Sequence, residues 1–388
     1  CLLSRGLGDV YKRQPYTYTI TGTGHSFYYA KMTLSGKDSR GTHRTAEIEV
    51  FNGELQSLFL SNIASSEIEV AVYGDTVKVT TFFREVWFFT NHVEGYSGTL
   101  GGGYGKHYGD RAIVSGGNDT PGIDTIEFYS ITSGGGATDF GELVGGKNYY
   151  HDTYSNGSRV LTTGGFVGSP GGAKTDAIEF ITVATKGNSV DFGELTAARQ
   201  AHQGGDSDGS RGIDPGGGTP IIDTIDYTTI GTLGDSTDFG ELSAARNLLS
   251  GASNSSRLCM VGGNPPALDT IEFITIGTLG NGIDFGELTK TRSYLGATGD
   301  NNRLVCAGGA SDDSMEYINI QTLGDGTDYA EQQTGGTSSF QMSSNGSRGT
   351  INGGHPARDT INAFTIGILA NTVDFGELSG SVFQAGSS

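Results

Sequence analysis

An all-β chain, most of it a tandem array of four-stranded units, is what the sequence predicts, on three observations. Glycine supplies 65 of the 388 residues, about 17% against a usual share of roughly 7%. It stands beside Val, Ile, Thr, Phe and Tyr, the composition of short strands joined by tight turns. With no Gly-X-Y period and only 8 prolines, the chain is neither collagen-like nor a proline-rich linker. The third observation is a pattern that recurs six times after residue 96, the sequence signature of a repeat architecture.

Three anchors define the repeat. The aromatic of a DFGEL motif falls at Phe140, Phe192, Phe239, Phe285, Tyr329 and Phe375, at spacings of 52, 47, 46, 44 and 46. A DTIEF-type segment precedes each, starting at Asp124, Asp176, Asp223, Asp269, Asp313 and Asp359. An arginine stands five residues before a double glycine at Arg111, Arg159, Arg211, Arg257, Arg303 and Arg348. Each unit supplies four extended segments. Around residue 300 they are RSYLGATG, RLVCAGG, DSMEYINI and TDYAEQ, separated by Gly, Asn and Asp turns. Four strands in about 45 residues is the period of a β-propeller blade.

Hydrophobic residues running into a double glycine, an acid-led strand, an aromatic after a turn and an arginine before the next unit resemble the Kelch repeat. Arg199, Arg246 and Arg292 fill that last position; Lys147, Gly336 and Val382 depart from it, and Phe stands where Kelch repeats carry Trp. The resemblance covers residues 96–388 and implies a Kelch-like β-propeller, with little implied about activity. The wording DTIEFITIGTLGNGIDFGEL also resembles Kelch-like arrays in tail and virion proteins of environmental bacteriophages. That implies a non-catalytic tail-fibre or adhesin-type protein, virion-borne or extracellular. The last segment, SVFQAGSS, aligns with the first strand of another unit. Either it begins a truncated seventh blade, or it closes a six-bladed ring on the first.

Residues 15–95 carry no repeat. TAEIEVF, SEIEVAVYG and TVKVTTFF alternate as half-buried antiparallel strands do. Asn52-Gly53 and Gly74-Asp75 suit hairpin turns, and Trp87 lies in an aromatic run expected to be buried. A small β-sandwich of about seven strands is expected here, with a weaker resemblance to sandwich modules of phage fibres and a homotrimer as one form of assembly. Residues 1–14, CLLSRGLGDVYKRQ, share no pattern with the rest and resemble a translated sequencing-adaptor artefact of metagenomic reads; they are set aside.

The formal charge is −19, and −21 without those fourteen residues. Such a field repels a phosphate backbone, so nucleic acid is not an expected partner. No apolar run reaches the roughly 18 residues of a membrane helix. Cys259 and Cys306 fall one register apart in matching strands, are expected to face opposite sides, and read as buried apolar residues.

A residue present in every unit serves a need common to all blades, whereas a catalytic residue is needed once. The six arginines and the aspartates of both motifs are therefore assigned to hydrogen bonds and ion pairs within the scaffold. Asp206, Asp208 and Asp214 in DSDGSRGID have the look of a calcium loop, but in register the segment matches the SNGSR-type turns. The segment from Ser236 to Gly240 resembles a sialidase aspartate box, without its trailing Thr-Trp. Galactose oxidase, a Kelch-like enzyme, holds copper with His and Tyr, whereas His151 and His202 share no register here. GGGYG at 101–105 precedes no helix and does not make a phosphate loop. No metal or cofactor is expected. A secreted carbohydrate-active enzyme, sialidase- or galactose-oxidase-like, is the alternative reading.

Propeller connectivity puts turns 1–2 and 3–4 on one face, and loops 2–3 and the blade connections on the other. The first set is nearly constant. The second reads NDTPGI, FVGSPGGAKT, GTPII, NPPAL, ASD and HPAR. Variable loops on a rigid scaffold are where binding concentrates. Phe166, Lys174, Asn264, Asp312, His355 and Arg358 are the candidate contacts for a host-surface glycan or protein, or another virion subunit.

Overall fold

The computed structural model describes strand backbone between Thr17 and Phe89. It also describes residues 109–387, apart from 118–122, 146, 169–171, 201–203, 310–311, 334–336 and 384–385. All regular structure among them is strand, so no helix long and apolar enough to cross a membrane occurs there. Residues 1–14 and most of the NDTPGI loop lie outside the described residues.

The chain divides into two units, Cys1–Gly103 and Tyr104–Ser388. In the first, β1 (Thr17–Thr21), β2 (Tyr29–Lys37), β3 (His43–Phe51) and β4 (Glu54–Ser61) form an antiparallel sheet in chain order. A second, three-stranded sheet contains β5 (Ile68–Tyr73), β6 (Thr76–Thr81) and β7 (Arg84–Phe89). Phe51 stands opposite Glu54 and Tyr73 opposite Thr76, the pairing that two-residue hairpin connections give. The turn residues themselves, the burial expected of Trp87 and the expected sandwich packing lie outside what is described.

The second unit is a six-bladed β-propeller. Blade 1 contains β8 (Arg111–Ser115), β9 (Thr125–Ser130) and β10 (Thr138–Glu142). Blade 2 contains β11 (Lys147–Tyr149), β12 (Asp152–Ser155), β13 (Arg159–Thr163), β14 (Phe166–Val167), β15 (Ala173–Thr182) and β16 (Val190–Arg199). Blade 3 is β17 (Asp206–Ser207), β18 (Arg211–Pro215), β19 (Thr224–Thr229) and β20 (Thr237–Glu241). Blade 4 is β21 (Ser250–Ser253), β22 (Arg257–Val261), β23 (Leu268–Thr275) and β24 (Ile283–Arg292). Blade 5 is β25 (Gly296–Gly299), β26 (Arg303–Ala307), β27 (Ser314–Asn319) and β28 (Thr327–Glu331). Blade 6 is β29 (Gln341–Ser344), β30 (Arg348–Asn352), β31 (Arg358–Thr365) and β32 (Val373–Val382).

The ring closes on the last segment. β33 (Gly386–Ser387) pairs with β8, Gly386 against Ser115 and Ser387 against Val114, and so supplies the inner strand of blade 1. The inner strands β33, β12, β17, β21, β25 and β29 touch in turn, and the last returns to the first. Of the two expectations for SVFQAGSS, ring closure is the one realised. Second strands such as Arg257–Val261 are buried from their second residue onward. They lie between two neighbouring blades, so their apolar run is continuous rather than alternating.

The blade-to-blade seams explain the anchors. Each anchor arginine lays its guanidinium 4.2–4.9 Å from an aromatic centroid in its own blade. It also donates to a backbone carbonyl of the next blade, at 2.7–3.2 Å. The acceptors are Val183, Ile230, Ile276, Ile320, Ile366 and Ile131, one per seam around the whole ring. The DTIEF and DFGEL aromatics meet edge to face in blades 1–5, at 5.7–6.2 Å, an arrangement worth about 0.5–1.5 kcal/mol per pair. In blade 6 Ala363 replaces the first aromatic, and Arg348 lies over Phe375 instead. The glycine of DFGEL is a close-approach position: a Cβ on Gly240 would stand 2.4 Å from the Gly280 carbonyl oxygen of the next blade.

One expectation needs correcting, and the cysteine reading holds. The aspartates of both motifs are not the buried acids; those of DFGEL are exposed, as at Asp139, Asp191 and Asp238. The buried acid is three residues into the DTIEF segment: Glu127, Glu179, Asp226, Glu272 and Glu316, with Asn362 in blade 6. The leading Asp is less buried, exposed at Asp124 and Asp313 and half-buried at Asp176, Asp223, Asp269 and Asp359. The two cysteines are free and buried, but facing opposite sides does not separate them. On adjacent blades it turns both into the one apolar core between blades 4 and 5. Burial pushes each thiol up to about 12, so neither is a nucleophile at neutral pH.

Candidate functional site

The loop face is held at the double glycines. Both residues of each pair take positive φ, for example 65° and 122° at Gly262 and Gly263, where a side chain would be strained. The second glycine's N–H donates to the carbonyl at the end of the outer strand, Gly165 to Arg199, Gly263 to Arg292 and Gly354 to Val382, or to the connection beyond it, Gly217 to Arg246. Beyond the glycines, the 2–3 loop of a blade bridges to the connection that enters it: Gln200 with Gly218, Asn247 with Asn264, Ser338 with His355.

Blade 2 builds more on this face than the others. Its bridge has grown into β11 and β14, which make its sheet six-stranded. Tyr149 pairs with Phe166, and Phe166 with Lys174. The Tyr149 ring lies 5.2 Å from Phe166 and 5.3 Å from Tyr150, and Tyr150 lies 6.5 Å from Phe166. All three rings are partly exposed. Tyr150 has φ 61°, an uncommon conformation for a non-glycine residue. Leu248, Tyr294 and Ser339 share it in the connections into blades 4, 5 and 6. The N–H of Ser339 donates to Tyr294, and that of Tyr294 to Leu248, which links consecutive connections.

The six residues read from sequence are spread over the face. Phe166 and Lys174 stand together in blade 2, where Lys174 Nζ donates to the Thr219 carbonyl at 2.7 Å. Exposed His355 and half-buried Arg358 share the blade 6 loop, and the His355 ring meets Phe383 edge to face at 5.2 Å. Asn264 stands by itself in blade 4. Asp312, in blade 5, pairs with Lys290 at 3.0 Å and accepts from the Ser314 N–H. Its partial burial pushes its pKa up, but the Ser314 and Lys290 hydrogen bonds and the Arg292 charge outweigh this and hold it at about 2.

Sequence reasoning missed the axis. A cavity of about 70 Å³ lies along the inner strands, lined by Asp152, Asp206, Thr298, Gln341 and Ser387 among others. Asp152 accepts from the Thr153 and Gly205 N–H groups at 2.8 and 2.6 Å. Asp206 accepts from Ser207 and from Ser253 of the next blade, both at 2.8 Å. Both carboxylates thus tie one inner strand to the next. Burial, then the charge of Asp214, holds the Asp152 carboxyl well above the ordinary carboxylate range. Buried Asp214 accepts from Tyr154 at 3.0 Å and from Thr163. His151 is fully buried, with Nε2 3.0 Å from the Ser115 carbonyl. The signal was available: these residues occur once, in segments that otherwise carry Ser, Gly and Ala.

Of the calcium-loop candidates only Asp208 is in the turn. Its carboxylate accepts from the Ser210 and Arg211 N–H groups at 2.7 Å, as Asn156, Asn254 and Asp300 do in theirs. Among the described residues no three His, Cys, Asp or Glu side chains converge as a metal site requires. No protein-family model matches the chain, and no curated protein is similar to it.

Proposed function

We propose that the chain is a non-catalytic structural or adhesion protein of the phage virion, of tail-fibre type, whose propeller presents its loop face to a host-surface glycan. The observation that carries this reading is blade 2. Among the described residues blade 2 alone carries two extra strands, and they set Tyr149, Tyr150 and Phe166 in a partly exposed cluster beside Lys174. Aromatic faces cover the apolar side of a pyranose ring, and a neighbouring ammonium donates to its hydroxyls. The resemblance of the repeats to Kelch-like virion arrays supports the phage setting. The polar residues that recur in every unit support the absence of turnover, because the seams already use them.

The test is a glycan array and a glycoside-hydrolase screen on the full chain, with Phe166→Ala and a variant trimmed over 166–175 alongside. Saturable binding lost in both variants is expected, with no hydrolysis. Binding untouched by either change would move the site elsewhere. Measurable hydrolysis would favour the enzyme alternative.

A further inference from the structure

The turn face, constant in its Gly, Asn and Asp residues, is not featureless. Among the described residues nine large hydrophobic side chains are at least 55% exposed, and eight of them lie at the turn end of the propeller; Val144 is the exception. They are in register. Leu233, Leu279, Leu323 and Leu369 occupy the same position of the 3–4 turn in blades 3 to 6, at 61, 56, 62 and 55% exposure. In blade 1 that position is Gly134 and in blade 2 it is Lys186. Ile283 and Val373, also exposed, lead the outer strands of blades 4 and 6. The turn itself does not require leucine, as blades 1 and 2 show. Four neighbouring blades therefore hold out an aliphatic arc at a pitch of one blade, and exposed apolar residues gathered on one face and rimmed by polar ones mark an interaction surface.

The charge on this arc is one-sided. Asp235, Asp238, Asp284, Asp325, Asp328 and Asp374 are exposed between the aliphatic residues. The basic residues of the same arc, Arg211, Arg257, Arg303 and Arg348, are half-buried over rings and already donate to carbonyls. A second copy laid face to face would oppose aspartate to aspartate, and an anionic polymer would be repelled. We propose that the turn face of blades 3–6 docks a different protein, whose surface carries an apolar stripe flanked by lysine and arginine. This surface is separate from the loop face and does not rest on the glycan reading.

The test uses the full chain and a fluorescent amphipathic helical peptide of leucine and lysine as probe. Two comparison peptides carry glutamate for lysine, or serine for leucine. Saturable binding of the leucine–lysine peptide is expected, weaker in high salt and for both comparison peptides. The triple variant Leu233→Ser, Leu279→Ser, Leu323→Ser is expected to weaken it about tenfold or more, while Phe166→Ala leaves it unchanged. The three leucines are exposed, so an unchanged thermal midpoint will show that the variant is folded. Equal binding by wild type and triple variant, or equal binding of the glutamate peptide, would overturn the proposal. So would sedimentation showing a dimer of the wild-type chain that the triple variant abolishes, because the arc would then be a self-contact.

Discussion

Blades 3, 4 and 5 differ from blades 1, 2 and 6 in how they keep a buried acid. In the first group an arginine entering from the preceding blade meets it: Arg199 with Asp226 at 2.5 Å, Arg246 with Glu272 at 2.9 Å and Arg292 with Glu316 at 2.7 Å. In the second group the sequence carries Val382, Lys147 and Gly336 at the arginine's repeat position, and each blade has a different remedy. Glu127 accepts from the Ser379 N–H at 3.2 Å. Glu179 accepts from the Gly145 N–H and the Ser189 hydroxyl at 2.8 and 2.6 Å. Blade 6, whose repeat carries Gly336 in place of the arginine in sequence, has given up the charge and carries Asn362. Backbone position is common to all six, yet a charge is kept only where donors meet it, as its desolvation cost demands.

The comparison can be broken most severely at Arg292, which donates to Glu316, the Gly308 carbonyl and the Ser314 hydroxyl. Arg292→Met strands a buried carboxylate and is expected to cost about 3–5 kcal/mol in denaturant unfolding. Arg257→Ala removes one carbonyl bond and one ring contact from a seam. Calorimetry is expected to show a loss of about 1–3 kcal/mol, with glycan binding unaltered.

Asp152 sharpens the same point through pH. Its carboxyl is raised, so the folded chain holds that proton more tightly than the unfolded one. Its contribution to stability is full below the unfolded carboxylate range, near about 3.9, and declines as pH rises through the folded value. The thermal midpoint of Asp152→Asn should therefore fall less than that of wild type between acid and neutral pH. A parallel pair of curves would contradict the assignment. The smallest effect is expected from Lys290→Ala. The Lys290 side chain is 55% exposed, so less than about 1 kcal/mol is at stake. Because Asp312 is held at about 2, that difference should shrink below the unfolded carboxylate value and vanish only as pH falls through about 2.

The sequence made the ring legible because the seams use long, distinctive side chains at fixed intervals. Arg257 must reach Ile320 across a seam while covering Phe273, which takes a long cationic side chain. The inner strands were harder to read. There the hydroxyls of Ser207 and Ser253 reach the backbone carbonyls of Ser155 and Ser207 in the preceding blade, and Ser, Gly and Ala carry no pattern that a period would reveal. Asp152 was hidden in such a segment, and Asp206 was read only as part of a turn. The acid of DTIEF was misassigned because a strand's leading residue and its third neighbour cannot be told apart by recurrence; only burial separates Asp269 from Glu272. Cys259 and Cys306 show a further limit, since the orientation was right but its consequence depends on which blade lies alongside. The growth of blade 2 through Tyr149 and Phe166 was visible only as loop length.

The seam account is tested most directly by a double-mutant cycle on Arg292 and Glu316, read as unfolding free energy. Arg292→Met alone is expected to be the most destabilising of the three variants. Adding Glu316→Gln should return much of that loss, because the remaining polar group is neutral, as Asn362 is in blade 6. If the double variant is instead as unstable as the sum of the two single changes, the acid and the arginine act independently. The difference between the two halves of the ring would then not be one of charge compensation.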